Sequence, residues 1–96
     1  MTNVNVRSVG MVRQLLGHAE LAVAVPEGTT VAGLLRVLAQ EKSEKMAPFA
    51  IEPTGPSGHA PLRVMVNGRD IQALDGRHTV LEEGDDVLMF VPIAGG

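Results

Sequence analysis

In the segment "TTVAGLLRVLAQEK", residues 29–42, the side chains Val31, Leu34, Leu35 and Leu38 recur at i, i+3, i+4 and i+7. That spacing is the apolar stripe of an amphipathic helix lying on a core. Thr29 or Thr30 supplies the N-cap. On both sides of this helix the hydrophobic period falls to two, the period of half-buried strands. A chain built this way must form a sheet from its alternating runs and lay the helix across one face of it.

The alternating runs are readable one by one. "NVNVR" (Asn3–Arg7) turns Val4 and Val6 to one side. "ELAVAVPEG" sets Leu21, Val23 and Val25 against Glu20, Ala22 and Ala24, and Pro26 and Gly28 end it. "LRVMVNGRDI" predicts a third strand, Arg63–Val66, followed by a tight turn at Asn67-Gly68. "TVLEEGDDVLMFVP" predicts a turn at Glu83-Gly84-Asp85 and a last strand, Asp86–Val91. "MVRQLLG" adds a short helix closed by Gly17. Gly33, inside the long helix, is expected to mark a close approach to the sheet. The order is strand, strand, helix, strand, strand: an α+β fold with a mixed sheet in ββαββ order on one main helix, the first two strands antiparallel and the last returning beside the first.

Residues 42–61 interrupt this regularity. Four of the six prolines lie there, Pro48, Pro53, Pro56 and Pro61. "PTGPSGHAP" is expected to be a mobile loop, while "FAI" (Phe49–Ile51) is either a docked apolar anchor or a short extended segment. The expected organisation is one domain over 1–91, with 42–61 as a proline-rich insertion loop and 92–96 as a flexible tail.

Composition narrows the function. With two Phe, no Trp and no Tyr, the core must be aliphatic. The absence of Cys excludes disulfides, thiolate metal sites and cysteine catalysis. A net charge of -3, with no basic run and no aromatic platform, argues against nucleic acid. No apolar run approaches the ~20 residues of a membrane span, and the alternating N-terminus lacks the apolar stretch of a signal peptide. A cytoplasmic protein with no membrane contact is expected.

The polar clusters do not suggest chemistry of their own. Glu82, Glu83, Asp85 and Asp86 are too closely spaced for a calcium loop and read as a turn. His18, His59 and His78 show no metal-ligand spacing, and no metal or bound cofactor is expected. Arg13 and Arg69 either meet an acidic partner or solubilise the surface. No Ser–His–Asp arrangement is suggested by any local motif.

"VPEGTTVAGLLRVL", then "VMVNGRDI", then "LEEGDDVLMFVPIAGG", is similar to the ubiquitin-like sulfur carriers of the MoaD/ThiS family, which have the β-grasp fold. The nearest resemblance is to the small subunit of molybdopterin synthase; the thiamine-pathway and cysteine-synthesis carriers are similar. The match covers nearly the whole chain except 42–61. It implies a relay. An ATP-dependent, E1-like adenylating enzyme of the MoeB/ThiF type activates the terminal carboxylate of Gly96, consuming ATP. A sulfur donor converts the adenylate into a thiocarboxylate. A sulfur-acceptor enzyme, such as the molybdopterin synthase large subunit, takes the sulfur. The carrier has no catalytic residues of its own.

The tail residues suit that role. Gly95 and Gly96 lack the Cβ atoms that would obstruct a narrow channel and tolerate any φ. Pro92 cannot donate to a sheet ladder, so it is a natural release point. From Pro92 through Ile93, Ala94, Gly95 and Gly96, five extended residues reach roughly 16 Å. Strand parity puts Val87, Met89 and Val91 on one face of the last strand and Leu88 and Phe90 on the other. With Met65 outward on strand three, these residues are expected to form an exposed apolar docking patch at the tail's root, unless Phe49 and Ile51 fold back over it. Two other functions fit the same sequence: a protein modifier joined through Gly96 to lysines, and a purely non-covalent adaptor.

Overall fold

The computed structural model describes residues 1–51 and 62–92, the side chain of Ile51 excepted. Strand β1 (Thr2–Ser8) pairs antiparallel with β2 (Glu20–Val25), and the seven-residue helix α1 (Gly10–Leu16) lies between them in the chain. Gly17 closes α1 in the left-handed region (φ 85°), where a side chain is disfavoured and glycine is not. Helix α2 (Val31–Val37) then crosses to β3 (Arg63–Val66), β4 (Arg69–Asp70) and β5 (Asp86–Phe90). The sheet order is β2-β1-β5-β3-β4. The last strand is therefore central, parallel to β1 and antiparallel to β3. This is a β-grasp, α+β.

The predicted helical stripe is the heart of the core. Val31, Leu34, Leu35 and Leu38 are all fully buried, facing Val4, Val6, Val23, Val25, Val87 and Met89 from the sheet. The Thr30 hydroxyl accepts from Gly33 N–H at 3.2 Å, which satisfies one of the helix's unpaired N-terminal donors. Thr30 also bridges to Val80, and Val31 N–H donates to Thr79 C=O at 3.0 Å, tying the helix start to the segment before β5.

Four expectations are amended. Gly33 does not mark an approach to the sheet: a Cβ there would meet Thr29 Cγ2 at 3.0 Å, so the glycine serves the capping turn. The long helix changes pitch at Leu38, continuing as a π-turn over Leu38–Lys42 in which Ser43 N–H reaches Leu38 C=O at 2.8 Å. Ser43 Oγ then donates to Leu15 C=O at 2.7 Å, so that end of the helix is held against α1. Of the proline-rich stretch, Glu44–Met46 is a 3-10 turn and Ala47–Ile51 a short helix, α3. Met46 and Phe49, three residues apart, are fully buried, so Phe49 is a docked anchor. Arg77 Nη2 donates to Phe49 C=O at 2.8 Å and fastens the anchor to the body; burial lowers the Arg77 pKa from its ordinary value. The expected mobile segment 53–60 lies outside the described residues. Finally, the sheet carries a fifth strand, the two-residue β4, formed because Asn67 (φ 53°) and Gly68 (φ 82°) make the left-handed pair of a type I′ hairpin turn.

Candidate functional site: the outer face and the root of the tail

On β5 the parity is as the sequence predicts. Val87 and Met89 are buried against the helix, while Leu88 and Phe90 face the other way. The register gathers the rest. Leu88 lies opposite Met65 on β3 and beside Arg7 on β1, and Phe90 lies opposite Arg63. Met65, Leu88 and Phe90 thus form one strip on the helix-free face. They are half-buried, which amends the expectation of an openly exposed patch. Phe49 does not cover them, because it is in the core on the opposite side.

Two ion pairs border the strip. Arg7 makes a bidentate contact with Asp86, Nε to Oδ1 at 2.9 Å and Nη2 to Oδ2 at 2.5 Å. Arg63 Nη2 lies 2.8 Å from Asp70 Oδ2, and Asp70 stands opposite Met65. The hydrogen bond from Arg7, more than any other influence, holds the Asp86 carboxyl below its ordinary range, and the same contact raises the Arg7 pKa. Polar pairs flanking an apolar strip give it a defined edge, as in the rim of a binding surface.

A residue that the sequence reading missed completes the strip. Val9 follows β1 with extended backbone (φ -136°, ψ 162°) and is 52% exposed. Because Arg7 pairs with Leu88 and Ser8 with Met89, the same register carries Val9 level with Phe90. Val9 thus extends the outward face of β1 toward the Phe90 end of β5, while Leu88 and Met65 pair with each other further back. The signal was available in the parity of Asn3, Asn5 and Arg7, which puts Val9 on the outer face, but the alternation is broken at Gly10 by the start of α1.

β5 ends at Phe90; Val91 is half-buried against the core and Pro92 is exposed. The tail residues Ile93, Ala94, Gly95 and Gly96 lie outside the described residues. Pro92 follows the strand at the end of the sheet where β1 gives way to α1.

The acidic cluster is occupied in holding turns. Glu83 Oε1 accepts from Asn3 N–H at 2.9 Å, Asp85 Oδ2 from Glu82 N–H at 2.8 Å, and Asp85 Oδ1 from Asn67 Nδ2 at 2.9 Å. Among the described residues no group of three or more His, Asp or Glu side chains converges to hold a metal ion. His18 and His78 are exposed, and His59 lies outside the described residues. Arg13 lines a hollow of about 420 Å³ along α1 with Gly10, Gln14 and Gly17; Arg69 is exposed on β4. No helix among the described residues is long and apolar enough to cross a membrane.

A β-grasp whose central strand, β5, runs along an apolar strip toward the chain's last residues is the architecture of the ubiquitin-like carriers and modifiers. The chain belongs to the ThiS family, whose model matches residues 6–96; the family groups ubiquitin-like sulfur carriers and modifiers, whose members work with E1-like activating enzymes and sulfur-acceptor enzymes. It is 36% identical over 84 residues to small archaeal modifier protein 3 of Haloferax volcanii, covering 88% of each chain. It is similar in structure to a putative molybdopterin converting factor, subunit 1, of Pyrococcus furiosus, with 27% identity, TM-score 0.72, and coverage of 97% of this chain and 100% of that one. The solution structure of small archaeal modifier protein 1 from Methanosarcina acetivorans shares the fold, with 24% identity, TM-score 0.73, and coverage of 100% and 98%.

Proposed function

We propose that this chain is a sulfur carrier whose Gly96 carboxylate is adenylated and then converted to a thiocarboxylate, serving molybdopterin synthesis as the small subunit of the synthase. The observation that supports this most is the position of β5. The strand leading to the tail is the central one of the sheet, with Val87 and Met89 fixed in the core. A partner pulling on the tail therefore acts on the most firmly held element of the fold.

The chemistry is a substitution at one carbonyl. A carboxylate oxygen of Gly96 attacks the α-phosphate of ATP in the activating enzyme, releasing pyrophosphate and leaving an acyl-adenylate. The outer sulfur of a persulfide on a donor attacks the carbonyl carbon and expels AMP; a thiol then reduces the resulting acyl disulfide, releasing the thiocarboxylate and itself forming a disulfide with the donor. The acid, base and phosphate-binding groups belong to the partners. Met65, Leu88, Phe90 and Val9 supply the apolar docking strip that orients the tail's root.

The similarity to a modifier protein favours a second reading, in which a lysine amine rather than a sulfur attacks the same activated carbonyl and leaves an isopeptide bond. Thiamine- or cysteine-pathway delivery differs only in the acceptor. Mass spectrometry of protein isolated from its host separates these. One oxygen-for-sulfur exchange at the C-terminus supports the carrier. Gly96-linked isopeptide adducts without any such exchange support the modifier. An unaltered carboxylate after incubation with ATP and every E1-like enzyme of the host overturns both.

A further inference from the structure

The two edges of the sheet are built differently. β4 is two residues long, both charged, and runs straight into a 3-10 turn at Ile71–Ala73; short, charged edges are a common protection against unwanted pairing. β2 is six residues long, and between Glu20 and Pro26 it carries no charge, proline or lysine. Its one acidic side chain is drawn inward, because Glu20 Oε2 accepts from Asn5 Nδ2 of β1 at 2.7 Å. Among the described residues, no strand pairs with the far side of β2.

The ladder shows which groups that edge offers. Ser8 N–H donates to Ala19 C=O at 2.9 Å. Alternation along the antiparallel register then directs the N–H and C=O of Leu21, Val23 and Val25 toward β1. Those of Glu20, Ala22 and Ala24 point away from it. Ala22 and Ala24 are exposed and small, so nothing on their side chains prevents another backbone from approaching.

We propose that β2 pairs with β2 of a second copy of this chain, antiparallel about a two-fold axis at Ala22, joining the two sheets. The sequence is self-complementary in that register. Ala22 meets Ala22, and Glu20 meets Ala24, so no like charges face each other and every outward N–H and C=O of the three edge residues is matched. On the other face, half-buried Leu21 lies opposite Val23 of the second copy and extends the core across the join. The join lies two strands from β5, so it leaves the end of that strand uncovered. Contact confined to one strand per copy covers little area, so the association is weak and dynamic. The inference does not depend on what happens at Gly96.

The absence of native cysteine makes a clean test. In the proposed register Ala22→Cys sets two Cα atoms about 5.5 Å apart, within disulfide reach. Ala24→Cys sets them about 14 Å apart. Under mild oxidation Ala22→Cys is expected to form an interchain disulfide at least tenfold faster than Ala24→Cys. In the native full-length chain the Glu20, Ala22 and Ala24 amide resonances are expected to shift with concentration, and Ala22→Lys to abolish the shift while leaving the rest of the spectrum native. Equal oxidation rates overturn the proposal. So do edge amides that stay unmoved up to about 1 mM, a concentration at which even a millimolar dimer is substantially populated.

Discussion

Arg7 and Asp86 show what a surface ion pair does in this fold. Each sits on a strand at the boundary between the polar and apolar halves of the outer face, and the two strands are parallel neighbours in register. Asp86 is held below its ordinary pKa mainly by the hydrogen bond from Arg7, with Asn5 Nδ2 adding a contact at 3.2 Å. Since the folded value lies below the unfolded one, the unfolded chain binds more protons as pH falls below about 4, and the stabilisation is lost through that window. Asp86→Asn removes the charge with little change of shape. The Tm difference between native and variant is expected to be small and positive at pH 7 and to shrink toward pH 3. A difference that grows with acidification contradicts the assignment. Phe90, two residues further along the same strand, makes the complementary case for binding. It is half-buried beside Leu88, so Phe90→Asp spares the core yet puts a charge in the strip proposed to dock partners. Loss of a central aromatic anchor typically costs about 2 kcal/mol or more, roughly thirtyfold in Kd. Calorimetric titration with the cognate activating enzyme reads it, and unchanged affinity removes Phe90 from the interface.

The elements differ in how legible they were, and the reason is length. Val31, Leu34, Leu35 and Leu38 span two turns, enough for the period to declare itself, and all four are in the core. Asn67-Gly68 is legible from two residues because the left-handed backbone that a tight hairpin turn requires suits few residue types. The segment Glu44–Ile51 offered no such signal. Its two core residues, Met46 and Phe49, are one turn apart, and Pro48 suggests a break although it stands in the first turn of α3, where proline is tolerated. What makes this segment helical is the space beside α2 and the Arg77 contact to the Phe49 carbonyl, and neither is local in sequence. The candidate site divides in the same way: Met65, Leu88 and Phe90 followed from strand parity, while Val9 needed the β1–β5 register, which only the folded sheet reveals. Phe49→Ala empties a fully buried site at a cost of about 3–5 kcal/mol. For a domain of this size Tm is then expected to fall by about 15 °C or more, with amide protection over 44–51 the first to be lost. A fall of only a few degrees means that this segment is not docked as described.

At the scale of the whole molecule, the fold fixes a body and ends its central strand at the surface. The core, the ion-paired outer face and the Arg77 clasp all fix the body, and β5 passes from the middle of that body to an exposed Pro92. Under the proposed function, the partner must recognise two things at once: the strip beside β5 and a carboxylate one tail length away. The two can be uncoupled. Adding one alanine after Gly96 leaves the strip and the fold untouched but moves the carboxylate by one residue, about 3.5 Å, and puts a Cβ where none was. An enzyme that positions the attacking oxygen against an α-phosphate is intolerant of displacements of even 1 Å. The extended chain is therefore expected to bind the activating enzyme within about threefold of the native affinity, a difference under 1 kcal/mol, while formation of the C-terminal adenylate falls below detection. Phe90→Asp is expected to do the reverse, weakening binding yet still permitting adenylation at saturating enzyme. If the alanine extension supports normal sulfur transfer, the terminal carboxylate is not the reacting group, and the molecule is a docking module instead.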